Sequence, residues 1–369
     1  MEATVDRYMR RALELGARAE GRTRPNPAVG AVVVADGQII GEGYHPAAGQ
    51  PHAEVFALQA AAGRTTGADL YVTLEPCSHQ GRTGPCTEAV IEAGIRRVFV
   101  GTQDPNPQVA GSGIRRLRQA GLQVEVGLFE QDCRRLIAPF AKHITTGLPY
   151  LILKSAITLD GQTATATGDS QWISNAQSRE AVHRLRDRVD AIMVGIGTVL
   201  NDDPKLTTRL PGGRDALRIV VDSQLRTPPQ AALLHLDSDA ETFIAHLPIA
   251  PEERRSRLAT GRAVLLETAE KEGRVDLHDL LTQLGNRGVQ SILLEGGAQL
   301  NAAFLKAGLI DRMMIFVAPK IIGGNGGYGI FAGEGIPFLA DALQLQDIRL
   351  SRFGDDVLIE GEVQGCLPA

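Results

Sequence analysis

Four residues in the first quarter of the chain have types and spacing suited to metal-assisted chemistry. His52 is followed two positions later by Glu54, and Cys77 and Cys86 come next, each preceded by a proline. Imidazole and thiolate are ligands that zinc prefers, and a set of three leaves the fourth tetrahedral position to water, as in catalytic sites. Bound metal makes that water acidic enough to supply hydroxide near neutral pH. A carboxylate two residues from a ligand is close enough to reach the water without being a ligand. It can carry a proton from the water to a ring nitrogen and then to a leaving amine. The expectation is therefore one zinc held by His52, Cys77 and Cys86, with Glu54 as the catalytic proton shuttle. Two simpler readings use the same residues. In one, His52 opens a helix and the cysteines fill a small core. In the other the zinc is structural, for which three ligands are too few.

The chain that must position these groups has 369 residues, enough for two domains at about 150 residues each. Hydrophobic residues make up 43% and charged residues 22%, the balance of an ordinary globular protein. The net charge of -5 argues against a general nucleic-acid surface. Met1 to Gly21 has charges throughout and no apolar signal core. No run reaches the roughly 18 apolar residues of a membrane span. The cysteines, Cys77, Cys86, Cys133 and Cys366, are too few for a disulfide scaffold in a chain of this length. A reducing, cytoplasmic location is the expectation, with no membrane partner.

Hydrophobic periodicity predicts an α/β protein. In the first half the pattern gives a helix over 6–18, with Val5, Met9, Ala12 and Leu13 on one side. Asp36-Gly37 lies between two apolar runs, Ala28 to Val34 and Gln38 to Gly43, which is a hairpin signal. Helices over 52–62, 87–93 and 114–120 alternate with strands over 70–74, 97–100 and 123–126, implying helices on both faces of one sheet. The composition changes between Pro139 and Pro149. A boundary near Gly147 gives domains 1–146 and 147–369. The second half restarts with a strand over 150–156. Ser174 and Gln177 form a capping box before a helix to about Arg188. Strands follow at 191–194, 217–221, 291–294, 313–317 and 357–363, with a helix capped by Asp276 and another running to Ala307. Residues 226–260 are the least readable.

The first half joins His52-Ala53-Glu54 to Pro76-Cys77, close to the H-x-E and P-C-x-x-C signature of zinc nucleobase deaminases. It departs in one respect: eight residues, not two, separate the cysteines. Together with Pro25-Asn26-Pro27-Ala28-Val29-Gly30 and Glu75-Pro76-Cys77-Ser78-His79, this half resembles the deaminase half of the bifunctional riboflavin-biosynthesis deaminase/reductases, a family with the longer spacing. The resemblance implies a cytidine-deaminase-like three-layer domain. It implies hydrolysis of the 2-amino group of a diaminopyrimidinone that carries a phosphoribosylamino group. It also implies that Asn26, His45, His79, Arg82, Asp104 and Asn106 line that substrate. Read without the family, His79 serves equally as a surface loop residue, and Asp104-Pro105-Asn106-Pro107 as an ordinary turn.

The second half lacks a G-x-G-x-x-G after its first strand, which argues against a Rossmann domain. Its Glu295-Gly296-Gly297, between a strand and a helix, suits an anion at the helix N-terminus. A tight turn needs the same glycines. With Leu153-Lys154-Ser155-Ala156, Trp172-Ile173-Ser174, Gly197-Thr198-Val199-Leu200 and Leu206-Thr207-Thr208-Arg209, it resembles the reductase half of the same family, similar in fold to dihydrofolate reductase. The resemblance implies NADPH as cofactor, touching Ala156, Trp172, Thr198, Asp202, Ser223, Gly297, Ala298, Gln299, Leu300 and Asn301. It implies substrate contacts at Lys154, Ser170, Arg186, Leu206, Arg209 and Glu295. Arg186 and Arg209 have the chemistry to bind a ribose phosphate. Read alone, Arg186 is a solvated helix residue and Trp172 a core residue. The implied reaction is hydride transfer to C1 of the ribosylamino group, with Lys154 and Glu295 as proton-donor candidates and Asp202 behind them. The family also suggests a homo-oligomer, a dimer or tetramer. The competing functional readings are a cytidine or tRNA-adenosine deaminase with an unrelated second domain, and a zinc-stabilised interaction module.

Overall fold

The first half is built on alternation. In its strands Leu70, Val72 and Leu74 point to one side and Tyr71 to the other; Val98 and Val100 likewise oppose Phe99. Each face therefore needs a cover of helices. The computed structural model describes residues 2–79, 84–259, 263–324 and 328–364. It divides into two units, Met1–Gly147 and Leu148–Ala369.

The first unit runs α1 (Glu2–Ala17), β1 (Gly30–Ala35), β2 (Gln38–Tyr44), α2 (Ala53–Ala60), β3 (Asp69–Leu74), α3 (Cys86–Glu92), β4 (Arg97–Thr102), α4 (Ser112–Gln119), β5 (Gln123–Val126), α5 (Glu130–Leu136) and α6 (Ala138–Thr146). The sheet order is β2-β1-β3-β4-β5. β1 pairs antiparallel with both β2 and β3, whereas β3, β4 and β5 run parallel. The hairpin closes at Ala35 and Gln38, with Asp36 and Gly37 at φ 50° and 73°, the left-handed pair that a two-residue turn demands. Ala53, Ala57 and Ala61 at α2, Val90 of α3 and Leu117 of α4 cover one face of the sheet. Tyr8, Met9, Ala12 and Leu15 of α1 and Cys133 of α5 cover the other.

The second unit runs β6 (Tyr150–Thr158), α7 (Ala176–Arg188), β7 (Ala191–Gly195), α8 (Ile196–Asp202), β8 (Leu217–Val221), β9 (Thr242–His246), α9 (Glu252–Ala259), β10 (Ala263–Glu267), the short β11 (Glu270–Lys271) and β12 (Arg274–Val275), α10 (Leu277–Asn286), β13 (Ser291–Leu294), α11 (Ala298–Lys306), β14 (Arg312–Ala318), β15 (Leu345–Phe353) and β16 (Asp356–Val363). Its large sheet has the order β10-β9-β8-β7-β13-β6-β14-β16-β15, parallel except for the last two pairings. Leu280, Leu281 and Leu284 of α10 and Phe304 of α11 pack with Leu151, Leu153, Ile292 and Leu294 of the central strands. Val182 of α7 packs with Phe316 and Leu358. Buried carboxylates fasten the frame: Asp190 accepts from the Gln290 and Ser291 amides at 2.9 and 3.1 Å, and Asp311 from the Leu151 amide at 2.7 Å.

The capping box expected from Ser174 and Gln177 is corrected by one residue. Asn175 is the N-cap of α7, and its side chain accepts from the Ser178 amide at 3.0 Å. Gln177 then stands at the second helical position, out of place for the reciprocal bond. Asn175 also donates to the Phe353 carbonyl at 2.5 Å, a tertiary bond that favours it over Ser174.

Candidate functional site

The metal cluster is assembled from two helix starts and one strand end. His52 is the N-cap of α2, in extended backbone, and Glu54 lies in that helix's first turn. Cys77 follows β3 by three residues, and Cys86 opens α3 behind Pro85. His52 Nδ1 lies 3.2 Å from Cys86 Sγ and 3.6 Å from Cys77 Sγ. All three ligand atoms fall within 4.8 Å of one another. A zinc tetrahedron with its usual bond lengths has N–S edges of about 3.5 Å, so the donor set fits that ion in chemistry and in size. The intervening segment is closed by the Cys86 amide donating to Cys77 Sγ at 3.3 Å and the Thr87 amide donating to the Cys77 carbonyl at 3.1 Å. This is how an eight-residue spacing still brings both sulfurs together.

Electrostatics single out two groups here. The Cys77 thiol is drawn down to about 4, first by the hydrogen bond from Cys86 and then, against burial, by His52. The Glu54 carboxyl is buried, and its pKa is pushed up to about 7, first by that burial and then by the nearby Cys77 charge. A carboxyl poised near neutrality can both take and return a proton.

The predicted substrate residues of the first unit are placed unevenly. The buried His45 ring meets His52 edge-on, with centroids 5.2 Å apart. Its Nδ1 donates to the Pro51 carbonyl at 3.0 Å, because that oxygen can only accept, and burial lowers its pKa. Nε2 is then the acceptor for the Asn26 amide at 3.0 Å. Both ring nitrogens are thus engaged, and His45 supports Asn26. Asp104 is half-buried and accepts from the Asn106 amide at 2.8 Å. Its pKa is raised by burial first and is then moderated by that bond, while the charge of His79 also lowers it. His79 is exposed. Arg82 lies outside the described residues, as does Cys366.

In the second unit all sixteen residues expected to touch cofactor or substrate line one cleft. The cleft is lined by the middle of β6, the last residues of β7 and β8, and the turn that follows β13. Its volume of about 3830 Å³ is several times the roughly 300–1,000 Å³ of a single small-molecule site. α11 starts there on Gly297, with no side-chain cap on its first amides, and a Cβ at Gly297 would meet only Thr198 Oγ1 at 3.9 Å. Backbone this bare, with helix N-terminal donors that no side chain among the described residues caps, fits the pyrophosphate of a dinucleotide. Trp172 is 58% exposed, not core, and the Arg179 guanidinium stands 4.7 Å over its ring.

Deeper in the cleft, Arg186 forks onto both oxygens of Glu295 at 2.8 Å each and donates to the Thr207 carbonyl at 3.1 Å. Burial opposes charge on Glu295, but Arg186, and Lys154 after it, hold the pKa at about 2. Lys154 is shifted the other way, down, by burial first and against the pull of Glu295. The half-buried His183 shares this pocket, and its Nδ1 has no hydrogen-bond partner among the described residues. Arg209 is exposed, in left-handed backbone at φ 52°, with no ion-pair partner among the described residues. Asn301 is buried, and its amide donates to the Ile330 carbonyl at 3.1 Å, so it braces the cleft wall.

Sequence reasoning missed two groups. His183 stands alone in its helix, with no motif to mark it. Glu75 sat inside a quoted motif, but the loops that its side chain would reach were not legible from the sequence.

Residues 2–102 match the model for the cytidine and deoxycytidylate deaminase zinc-binding region, and residues 149–359 that for the RibD C-terminal domain. The riboflavin biosynthesis protein RibD of Escherichia coli (strain K12) is 44% identical over 365 residues, covering 95% of this chain and 97% of that protein. The solved structure of Acinetobacter baumannii RibD, form 1, matches with a TM-score of 0.82 at 36% identity, over 98% of this chain and 99% of that one. The diaminohydroxyphosphoribosylaminopyrimidine deaminase/5-amino-6-(5-phosphoribosylamino)uracil reductase of Thermotoga maritima matches with a TM-score of 0.82 at 33% identity, covering 98% and 99%.

Proposed function

The chain belongs to the RibD family of riboflavin biosynthesis, and from that premise we propose how each unit acts and on what. It is a bifunctional enzyme, a zinc-dependent deaminase followed by an NADPH-dependent reductase. The family match covers both halves, which sets aside a cytidine or tRNA-adenosine deaminase with an unrelated second domain. We assign the deaminase to 1–146 and the reductase to 147–369. The substrate of the first step is 2,5-diamino-6-(5-phosphoribosylamino)pyrimidin-4-one. The observation that carries the reading is the His52, Cys77 and Cys86 cluster with Glu54 buried beside it.

Zinc bound by His52, Cys77 and Cys86 supplies the Lewis acidity that lets water attack at neutral pH. Glu54 takes a proton from the attacking water and passes it to the ring nitrogen. It then takes the remaining proton of that water, from the hydroxyl now on C2, and gives it to the departing amine as the C2–N bond breaks. The C2 amino group leaves as ammonia and a carbonyl replaces it. Asn26, with its amide nitrogen engaged by His45, offers its carbonyl oxygen to a donor on the pyrimidine. Asp104, Asn106, His79 and Arg82 complete the pocket.

In the second unit NADPH supplies the hydride. Gly297 to Asn301, Thr198, Ser223, Asp202, Ala156 and Trp172 hold the cofactor, and Ser170 and Leu206 contact the sugar phosphate. The pKa directions separate the proton-donor candidates. Glu295 stays a carboxylate under the Arg186 fork, whereas burial eases Lys154 towards releasing its proton. Lys154 therefore protonates the sugar ring oxygen as the ring opens, and Glu295 orients Lys154. Arg209, without an ion-pair partner among the described residues, meets the phosphate, and Arg186 fixes Glu295.

No helix among the described residues is long and apolar enough to cross a membrane. We place the enzyme in the cytoplasm, with small-molecule partners and no nucleic acid. We also propose a homo-oligomer, a dimer or tetramer. The sheet edge at β15 supports this, since it exposes Ile348 and Leu350 by 59% and 69%, and exposed apolar side chains on an edge strand invite pairing. The test of function is direct. Purified protein given the diaminopyrimidinone substrate should release ammonia without NADPH, and should oxidise NADPH only after that release. NADPH oxidation without ammonia release, or neither, would contradict the assignment.

A further inference from the structure

Glu75 makes hydrogen bonds that neither proposed mechanism uses. It is buried and lies just past β3, two residues before Cys77. One carboxylate oxygen accepts from the Asp104 amide at 3.1 Å and the Gly111 amide at 2.9 Å. The other accepts from the Gly113 amide at 2.8 Å and the Ile114 amide at 3.1 Å. Helix α4 begins on Gly111, which has no side chain to cap it. Its first donors are satisfied by a residue far away in sequence. The two segments interlock further. A Cβ at Gly113 would lie 1.9 Å from the Pro76 carbonyl oxygen, so only glycine permits this approach. Ser78 and Ser112 share a hydroxyl hydrogen bond of 2.8 Å.

We propose that Glu75 is a positioning residue for deamination: its carboxylate fixes the segment bearing Asp104 and Asn106 in register with the segment bearing the metal ligand Cys77. The inference rests on the reading of Asp104 as a substrate contact. A helix cap alone would require only the bonds to Gly111, Gly113 and Ile114. The bond to the Asp104 amide joins the carboxylate directly to the substrate segment, and Asp104 in turn holds Asn106 through its own side chain.

The test is a double-mutant cycle on the full-length zinc enzyme. Glu75→Gln turns one acceptor oxygen into a donor and removes two of the four amide bonds. It should keep one zinc per chain and leave reduction of the deaminated substrate unchanged. The deaminase KM should rise about tenfold or more, with kcat within about threefold. Asp104→Ala alone should also raise KM, and in that background Glu75→Gln should add less than about threefold. An unchanged KM in Glu75→Gln, or zinc loss with kcat falling at constant KM, would overturn the proposal. So would fully additive KM increases, with the reading of Asp104 left standing. An unchanged KM in Asp104→Ala would overturn that underlying reading and with it the route assigned to Glu75. If Glu75→Gln does not fold, Ser112→Ala removes only a hydroxyl from the same interlock. It should raise KM about threefold with zinc retained, and an unchanged KM there would count equally against the proposal.

Discussion

The deaminase centre and the reductase cleft solve the same problem, holding a phosphoribosylaminopyrimidine, with opposite use of the chain. The first gathers the ligand atoms of His52, Cys77 and Cys86 within 4.8 Å of one another, with the buried Glu54 in the first turn of the helix that His52 caps. The second draws on segments from Lys154 to Asn301, spread over β6, α7, α8, α11 and the loops between them. A contiguous, buried cluster makes its chemistry depend on individual groups. A dispersed cleft spreads binding over many groups, with Lys154, Glu295, Arg186 and His183 coupled to one another. The two regions should therefore fail differently when single residues change.

The largest effect is expected at Glu54. Glu54→Gln should retain zinc and fold, yet lose ammonia release by at least about 100-fold, the low end for general acid–base catalysis. Reduction of the already deaminated substrate should not change. A mutant that still deaminates well would remove the contrast, because no single group would then dominate the first site. Arg209→Ala should act more mildly, raising the reductase KM roughly 10- to 100-fold through loss of a charge-assisted bond to phosphate. An unchanged KM with weakened NADPH binding would move Arg209 to the cofactor.

The smallest effect concerns stability. The folded-state pKa of Glu295 lies at about 2, below its ordinary 4.5. The stability this contributes is fully present above about pH 4.5 and is lost as the pH falls towards 2, about 3 kcal/mol in all. Glu295→Gln should flatten the acid limb of unfolding of the second unit, measured by denaturant titration between about pH 5 and 3. A slope identical to that of the unmodified protein would show that the Arg186 fork does not hold this carboxylate in solution.

The same contrast explains what could be read from sequence. The hairpin at Asp36-Gly37, the strands at 217–221 and 291–294 and the Asp276 cap were legible because turn chemistry and short apolar runs are local. Pro139 lies in the first turn of α6, where a missing N–H costs nothing, so the segment around it is helix. Residues 226–260 were opaque because α9 is almost wholly polar, Glu252 to Arg257, and buries only Leu258. At the sites, a carboxylate two residues from a metal ligand, Glu54 after His52, announces itself. The Arg186–Glu295 fork joins partners 109 residues apart, and the Glu75 clamp joins its amides across 29 to 39. Both depend on pairings that only the folded sheet supplies.

The central claim is that each site is chemically complete within its own unit. It is tested most directly by mixing two full-length variants, Glu54→Ala, which lacks the first step, and Arg209→Ala, whose second step is slowed at substrate concentrations well below its raised KM. The account predicts that the mixture restores conversion of the diaminopyrimidinone to the ribityl product, at a rate that rises with protein concentration as the intermediate passes through solution. Failure to restore it, with each variant folded and active in its remaining half-reaction, would contradict two independent sites and require transfer within one chain.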